Sequence, residues 1–73
     1  MARVIPVRFS ESERYDPLKD AEVVRFLATT DRGSYHVEVP IEGPRGLRRD
    51  RQAFKDRVVE YIRAGAPPCE VSL

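Results

Sequence analysis

The sharpest pattern in the chain runs from residue 34 to residue 42, where Tyr35, Val37, Val39 and Ile41 alternate with Ser34, His36, Glu38, Pro40 and Glu42. A period of two marks a strand with one buried face and one wet face. Residues 21 to 30 form a second apolar stretch, with Val24, Phe26 and Ala28 in one alternating set and Val23 and Leu27 in the other. Asp31-Arg32-Gly33-Ser34 joins the two as a hairpin, Gly33 supplying the positive φ that such turns need. Because the first arm is apolar on both sets, register must choose its inward side. With Phe26 opposite Val39, Val24 opposite Ile41 and Ala28 opposite Val37, the apolar sets coincide, whereas a one-residue slip brings Arg25 against Val39 and puts charge in the buried face. The first register is therefore expected. It leaves Val23, Arg25, Leu27 and Thr29 on the back of the sheet beside His36 and Glu38, with Arg25 and Glu38 as diagonal neighbours.

Past Gly43-Pro44-Arg45-Gly46, the residues Leu47, Phe54, Val58, Tyr61 and Ile62 recur on one helical stripe. Asp50 is the expected N-cap, with a start two residues earlier as the alternative, and Gly65 followed by Pro67-Pro68 is a stop signal. Cys69 to Leu73 reads as a short last strand with Cys69, Val71 and Leu73 on its docked side. At the other end, residues 3 to 9 are β-formers interrupted by Pro6, which has no amide hydrogen to give a ladder, so an edge strand or extended arm is expected. Residues 10 to 20 are polar with Asp16-Pro17 turn chemistry, which predicts a loop pinned to the core by Tyr15 and Leu18. The resulting expectation is one α+β domain over residues 1–73. It is a small antiparallel sheet of three to four strands, with one helix from the C-terminal half packed on one face, in the order β-β-β-α-β.

Composition narrows what such a domain can do. Seventy-three residues bury only about 60% of the surface exposed by the unfolded chain, too little to enclose a deep cavity beside a core. With 41% hydrophobic residues and a net charge of +1, the chain is too apolar and too balanced for a disordered tail. No apolar run approaches the roughly 20 residues of a membrane-spanning helix, so no membrane partner is expected. Cys69 is the single cysteine, which excludes an internal disulfide, and no secretory leader pattern opens the sequence, so the cytoplasm is the expected compartment.

Several features together resemble a family of small bacterial domains of unknown function: the aromatic-Asp pair Tyr15-Asp16, the Val-Arg-Phe strand from Val24 to Phe26, the hairpin, a helix carrying Phe54 and Arg57, and a short final strand. The resemblance covers most of the length. It implies a bacterial source and a compact α+β fold, and it brings no assigned chemistry and no catalytic residues.

The residues themselves assemble no reaction. His36, the only histidine, and Cys69 fall short of the three or four ligands of a zinc site, and no nucleophile motif surrounds Ser10, Ser12, Ser34 or Ser72. Cys69, in Pro-Pro-Cys-Glu, has an acidic neighbour that disfavours the thiolate and reads as a small buried hydrophobe. Gly43-Pro44-Arg45-Gly46 lacks the Gly-Lys-Ser/Thr ending of a phosphate-cradling loop. No catalytic, cofactor or metal residues are expected. Charge is asymmetric, however, with net −2 over the first 43 residues and net +3 from Pro44 onward. Arg45, Arg48, Arg49, Arg51 and Lys55 are accordingly the candidate contacts for an anion or nucleic acid, on a face that otherwise reads as solvated. The leading expectation is a non-catalytic protein that forms a homodimer or binds another protein through Val23, Arg25 and Leu27 on the uncovered side of the sheet. Edge pairing through the 34–42 strand is a second geometry, weakened by Pro40, and nucleic-acid binding through the arginines is the alternative function.

Overall fold

The computed structural model describes residues 6–73. Three antiparallel strands, β1 (Arg8–Asp16), β2 (Ala21–Thr30) and β3 (Gly33–Pro40), form a sheet in the order β1-β2-β3, and a 20-residue helix, α1 (Pro44–Arg63), packs on one face. The fold is α+β, as the patterning predicts. Val24, Phe26 and Ala28 on β2, Tyr35 and Val37 on β3, Phe54 and Val58 on α1, and Val71 in the C-terminal tail make the buried core. Phe26 and Phe54 stack with centroids 5.6 Å apart at 27°, and Tyr61 meets Tyr35 edge-on at 6.2 Å.

The β2–β3 hairpin keeps the expected faces but in a register shifted by two. Val24 lies opposite Val39, Phe26 opposite Val37 and Ala28 opposite Tyr35. The turn is shorter than predicted, because Thr30 and Gly33 already pair and only Asp31-Arg32 lie outside the ladder. Neither of those two has positive φ, so the left-handed demand of the turn falls on Gly33 at φ 132°. Thr30 Oγ1 accepts the Arg32 amide at 3.1 Å and donates to the Gly33 carbonyl at 2.9 Å, which locks the tight loop. A shift of two preserves parity, which is why the buried set survives the error.

Residues 10 to 16 are the larger departure. They are strand, not loop: β1 runs in unbroken register with β2 from Arg8 opposite Thr29 to Asp16 opposite Ala21. The expected arm over residues 3 to 9 lies partly outside the described residues, and of its described part only Arg8 and Phe9 enter the strand. The Asp16-Pro17 turn is real, with the Asp16 carboxylate accepting the Leu18 amide at 3.0 Å. Tyr15 and Leu18 do not pin it to the core, being 55% and 96% exposed.

The helix starts at Pro44, earlier than either predicted start. Pro44 takes a first-turn position, where its missing N–H costs nothing, and Gly43 sits at the cap with no side-chain hydrogen bond, so Asp50 lies inside the helix. The expected stripe is correct, with Phe54 and Val58 buried and Leu47, Tyr61 and Ile62 packed around them. At the far end Gly65, at φ 73°, donates to Ile62 O at 3.1 Å while Ala66 donates to Tyr61 O at 2.9 Å. This is the paired-bond stop that a left-handed glycine makes.

The predicted fourth strand is not formed. After Pro67-Pro68 the tail makes a single parallel bridge, Glu70 to His36, in which the His36 amide donates to Cys69 O at 3.2 Å and Val71 N donates to His36 O at 2.8 Å. The two prolines keep the ladder from starting before Cys69, and past Val71 the tail makes no further backbone bond to β3. Val71 is nonetheless 2% exposed, whereas Leu73, expected to dock, is 45% exposed.

Candidate interaction surfaces

The back of the sheet, where Val23, Arg25 and Leu27 are the sequence's candidate interface, is more closed than the pattern suggests. Val23 is 1% exposed and Leu27 half-buried, leaving Arg25 as the exposed member of the three. Arg25 lies directly opposite Glu38, not diagonal to it. Arg14 takes the Glu38 carboxylate instead, in a two-pronged contact of 2.7 and 2.9 Å from one guanidinium nitrogen and 3.2 Å from Nε. Arg14 stands opposite Val23 on β1, so this pair bridges over β2 from one edge strand to the other. The back therefore offers a polar surface of Lys19, Arg25, His36, Glu38 and Glu70, and Val23 is not available to a partner.

The five basic candidates on α1 divide into two groups. Arg51 reaches across to β1 and holds Glu11 at 3.0 and 3.2 Å, and the Lys55 ammonium sits 5.5 Å from the centroid of the Phe9 ring, a cation–π position. Arg45, Arg48 and Arg49 make no ion pair among the described residues and share a shallow surface with Gln52, Ala53 and Asp56. No acidic side chain occupies the first helical turn, so the positive end of the helix dipole adds to theirs.

The pattern conceals β1 as a surface, because a run without apolar alternation predicts a loop. Every residue from Arg8 to Tyr15 is exposed, and the helix reaches only one corner of the strand. There Phe9 sits edge-on to Phe54, centroids 6.4 Å apart, beside a hollow of about 190 Å³ floored by Phe9, Phe26 and Phe54 and walled by Glu11, Arg51 and Lys55. The hollow is smaller than the roughly 300–1,000 Å³ of ordinary small-molecule sites. A signal for β1 was present in the sequence: from Val7 to Asp16 there is no Gly, Pro or Asn to break an extended run.

At the end of β1 the Tyr15 hydroxyl hydrogen-bonds Asp20, which raises the phenol pKa above its ordinary value near 10, with smaller contributions from partial desolvation and the charge of Asp16. His36 serves the fold through its backbone, and no cluster of metal-ligating side chains occurs among the described residues. Among the described residues no helix is long and apolar enough to cross a membrane. The chain matches no protein-family model, no curated protein and no solved structure.

Proposed function

We propose that the protein is a non-catalytic association module of the bacterial cytoplasm, a compartment that suits its lone free thiol, and that it works by binding protein chains, its own included, along the edge of its sheet. The carrying observation is β1, a nine-residue strand with both faces wet on an outer position of the sheet. An edge of that length presents unpaired amides and carbonyls to any extended chain. Sedimentation equilibrium at micromolar concentration should give twice the 8.4 kDa chain mass. A folded monomer at 100-fold higher concentration would refute self-association.

A second reading has one observation in its favour, namely Arg45, Arg48 and Arg49, which make no ion pair among the described residues, at a helix start without acidic residues in its first turn. It predicts binding to DNA or RNA that weakens steeply with salt and is lost when Arg48 and Arg49 become alanine. Absence of any gel retardation at about 50 mM salt rejects it.

A further inference from the structure

We infer that the occupant of the β1 edge is a second copy of this chain, paired antiparallel through β1 about a two-fold axis at Ser12. This rests on the association reading above and adds to it the partner and the register.

The two edges of the sheet differ. The outer side of β3 is engaged at His36 by the tail, through hydrogen bonds to Cys69 and Val71, and the strand ends in Pro40. Among the described residues nothing pairs with the outer side of β1. Proteins usually guard such an edge with lysine, proline, a bulge or brevity. β1 has none of these: its register with β2 is constant over nine pairs, and its sequence Arg-Phe-Ser-Glu-Ser-Glu-Arg-Tyr-Asp contains neither Lys nor Pro. Its one guard is charge, with Arg8, Glu11, Glu13, Arg14 and Asp16 along it and the two glutamates on the helix side, so a partner strand must meet these charges in a compatible register.

Two identical strands related by a two-fold axis in one continuous sheet must match like faces, so the axis passes through a residue and its copy. Centring on Ser12 pairs all nine residues, with Phe9 opposite the partner's Tyr15, Arg8 opposite the partner's Asp16 and Ser10 opposite the partner's Arg14. Centring on Glu11 sets Arg8 against Arg14, Glu11 against itself and the Phe9 ring against a carboxylate. Centring on Glu13 sets that carboxylate against its copy and leaves Arg8 and Phe9 unpaired. Only the Ser12 axis matches the two exposed aromatics of the strand. Phe9 is 40% and Tyr15 55% exposed, both on the helix side of the sheet by register, and cross-strand aromatic pairs are among the more stabilising. The row Phe26, Phe54, Phe9 then continues into the partner's Tyr15, twice over by symmetry. The cost is Glu11 facing the partner's Glu13, and Arg51, already bound to Glu11, offsets part of it. The product is a continuous six-stranded sheet in a closed dimer with an isologous interface.

The test uses three full-length variants and sedimentation. Under mild oxidation Ser12→Cys should give a disulfide-linked dimer. Ser10→Cys, whose two copies lie four residues or roughly 13 Å apart in this register, should not, and neither should the native chain with Cys69 alone. All three serine and glutamate sites changed are exposed, so folding is spared. Among the described residues Glu13 makes no hydrogen bond or ion pair, so Glu13→Gln should leave the monomer unaffected and tighten the dimer roughly 2- to 30-fold by relieving two like-charge pairs. A dimer in which Ser10→Cys links more readily than Ser12→Cys, or in which Glu13→Gln changes nothing, overturns the register but not association. A folded monomer throughout overturns both.

Discussion

Phe54 is the residue on which the layer packing turns, and Phe54→Ala measures it. The ring is 2% exposed, stacks on Phe26 at 5.6 Å and receives the edge of Phe9 at 6.4 Å. Truncating a buried phenylalanine costs about 3–5 kcal/mol, combining lost transfer energy with a cavity that the surroundings fill only in part. At about 0.05–0.15 kcal/mol per residue, a domain of this length holds roughly 4–11 kcal/mol in all. The substitution therefore removes between about a quarter of the stability and the whole of it. Urea unfolding followed by circular dichroism at one fixed protein concentration reads the loss. With a slope near 1 kcal/mol per molar, the low end expected for so small a chain, the midpoint should fall by about 3 M or the protein should already be unfolded in water. Val59→Ala, at a helix position 41% exposed, controls for changes in helix propensity and should shift the midpoint far less. A loss below about 1 kcal/mol for Phe54→Ala would refute the stacked aromatic core, since no collapse of the site recovers that much of a buried ring.

Two further outcomes follow from local geometry. Gly33→Ala should destabilise by roughly 1–3 kcal/mol, because an alanine there is strained at φ 132° and its Cβ would lie 3.0 Å from Pro68 Cγ; Pro68→Ala should recover only the contact part, as a double-mutant cycle in urea would show. Asp20→Asn, at a position with φ 49° that asparagine tolerates, should lower the Tyr15 pKa toward 10 when its ring resonances are titrated. Because folding raises that pKa, the hydrogen bond's contribution to stability is complete below the ordinary phenol value and disappears as pH rises through the folded one. An unmoved titration would place the proton elsewhere.

Much of this fold is legible in the residues because burial imposes periodicity. Tyr35, Val37 and Val39 alternate, and Phe54, Val58 and Tyr61 recur at helical spacing, since each set must face the same core. The two-residue slip in the hairpin left those faces intact, as parity alone is fixed by hydrophobicity, while the pairing offset was set by the side-chain hydroxyl of Thr30. β1 was illegible for the converse reason. A strand wet on both faces has no apolar alternation to show, and its stability comes from backbone pairing to Ala21–Thr30. The same blindness concealed Arg14, which takes Glu38 from its opposite neighbour Arg25, and Glu11, which takes Arg51 from the arginine cluster. Val23, expected at an interface, is 1% exposed, because pattern does not reveal how closely the back of a central strand is covered.

If the chain pairs through β1 as proposed, the small parallel bridge between Glu70 and His36 sets the valency of the molecule. A sheet with one side stopped up can add a neighbour in a single direction, so growth ends at a pair. Were the last residues to peel away, both flanks would stand open, and head-to-tail addition of β1 to β3 has no rotation that must close, which is the geometry of a ribbon. Three residues of tail thus separate a finite complex from a polymer.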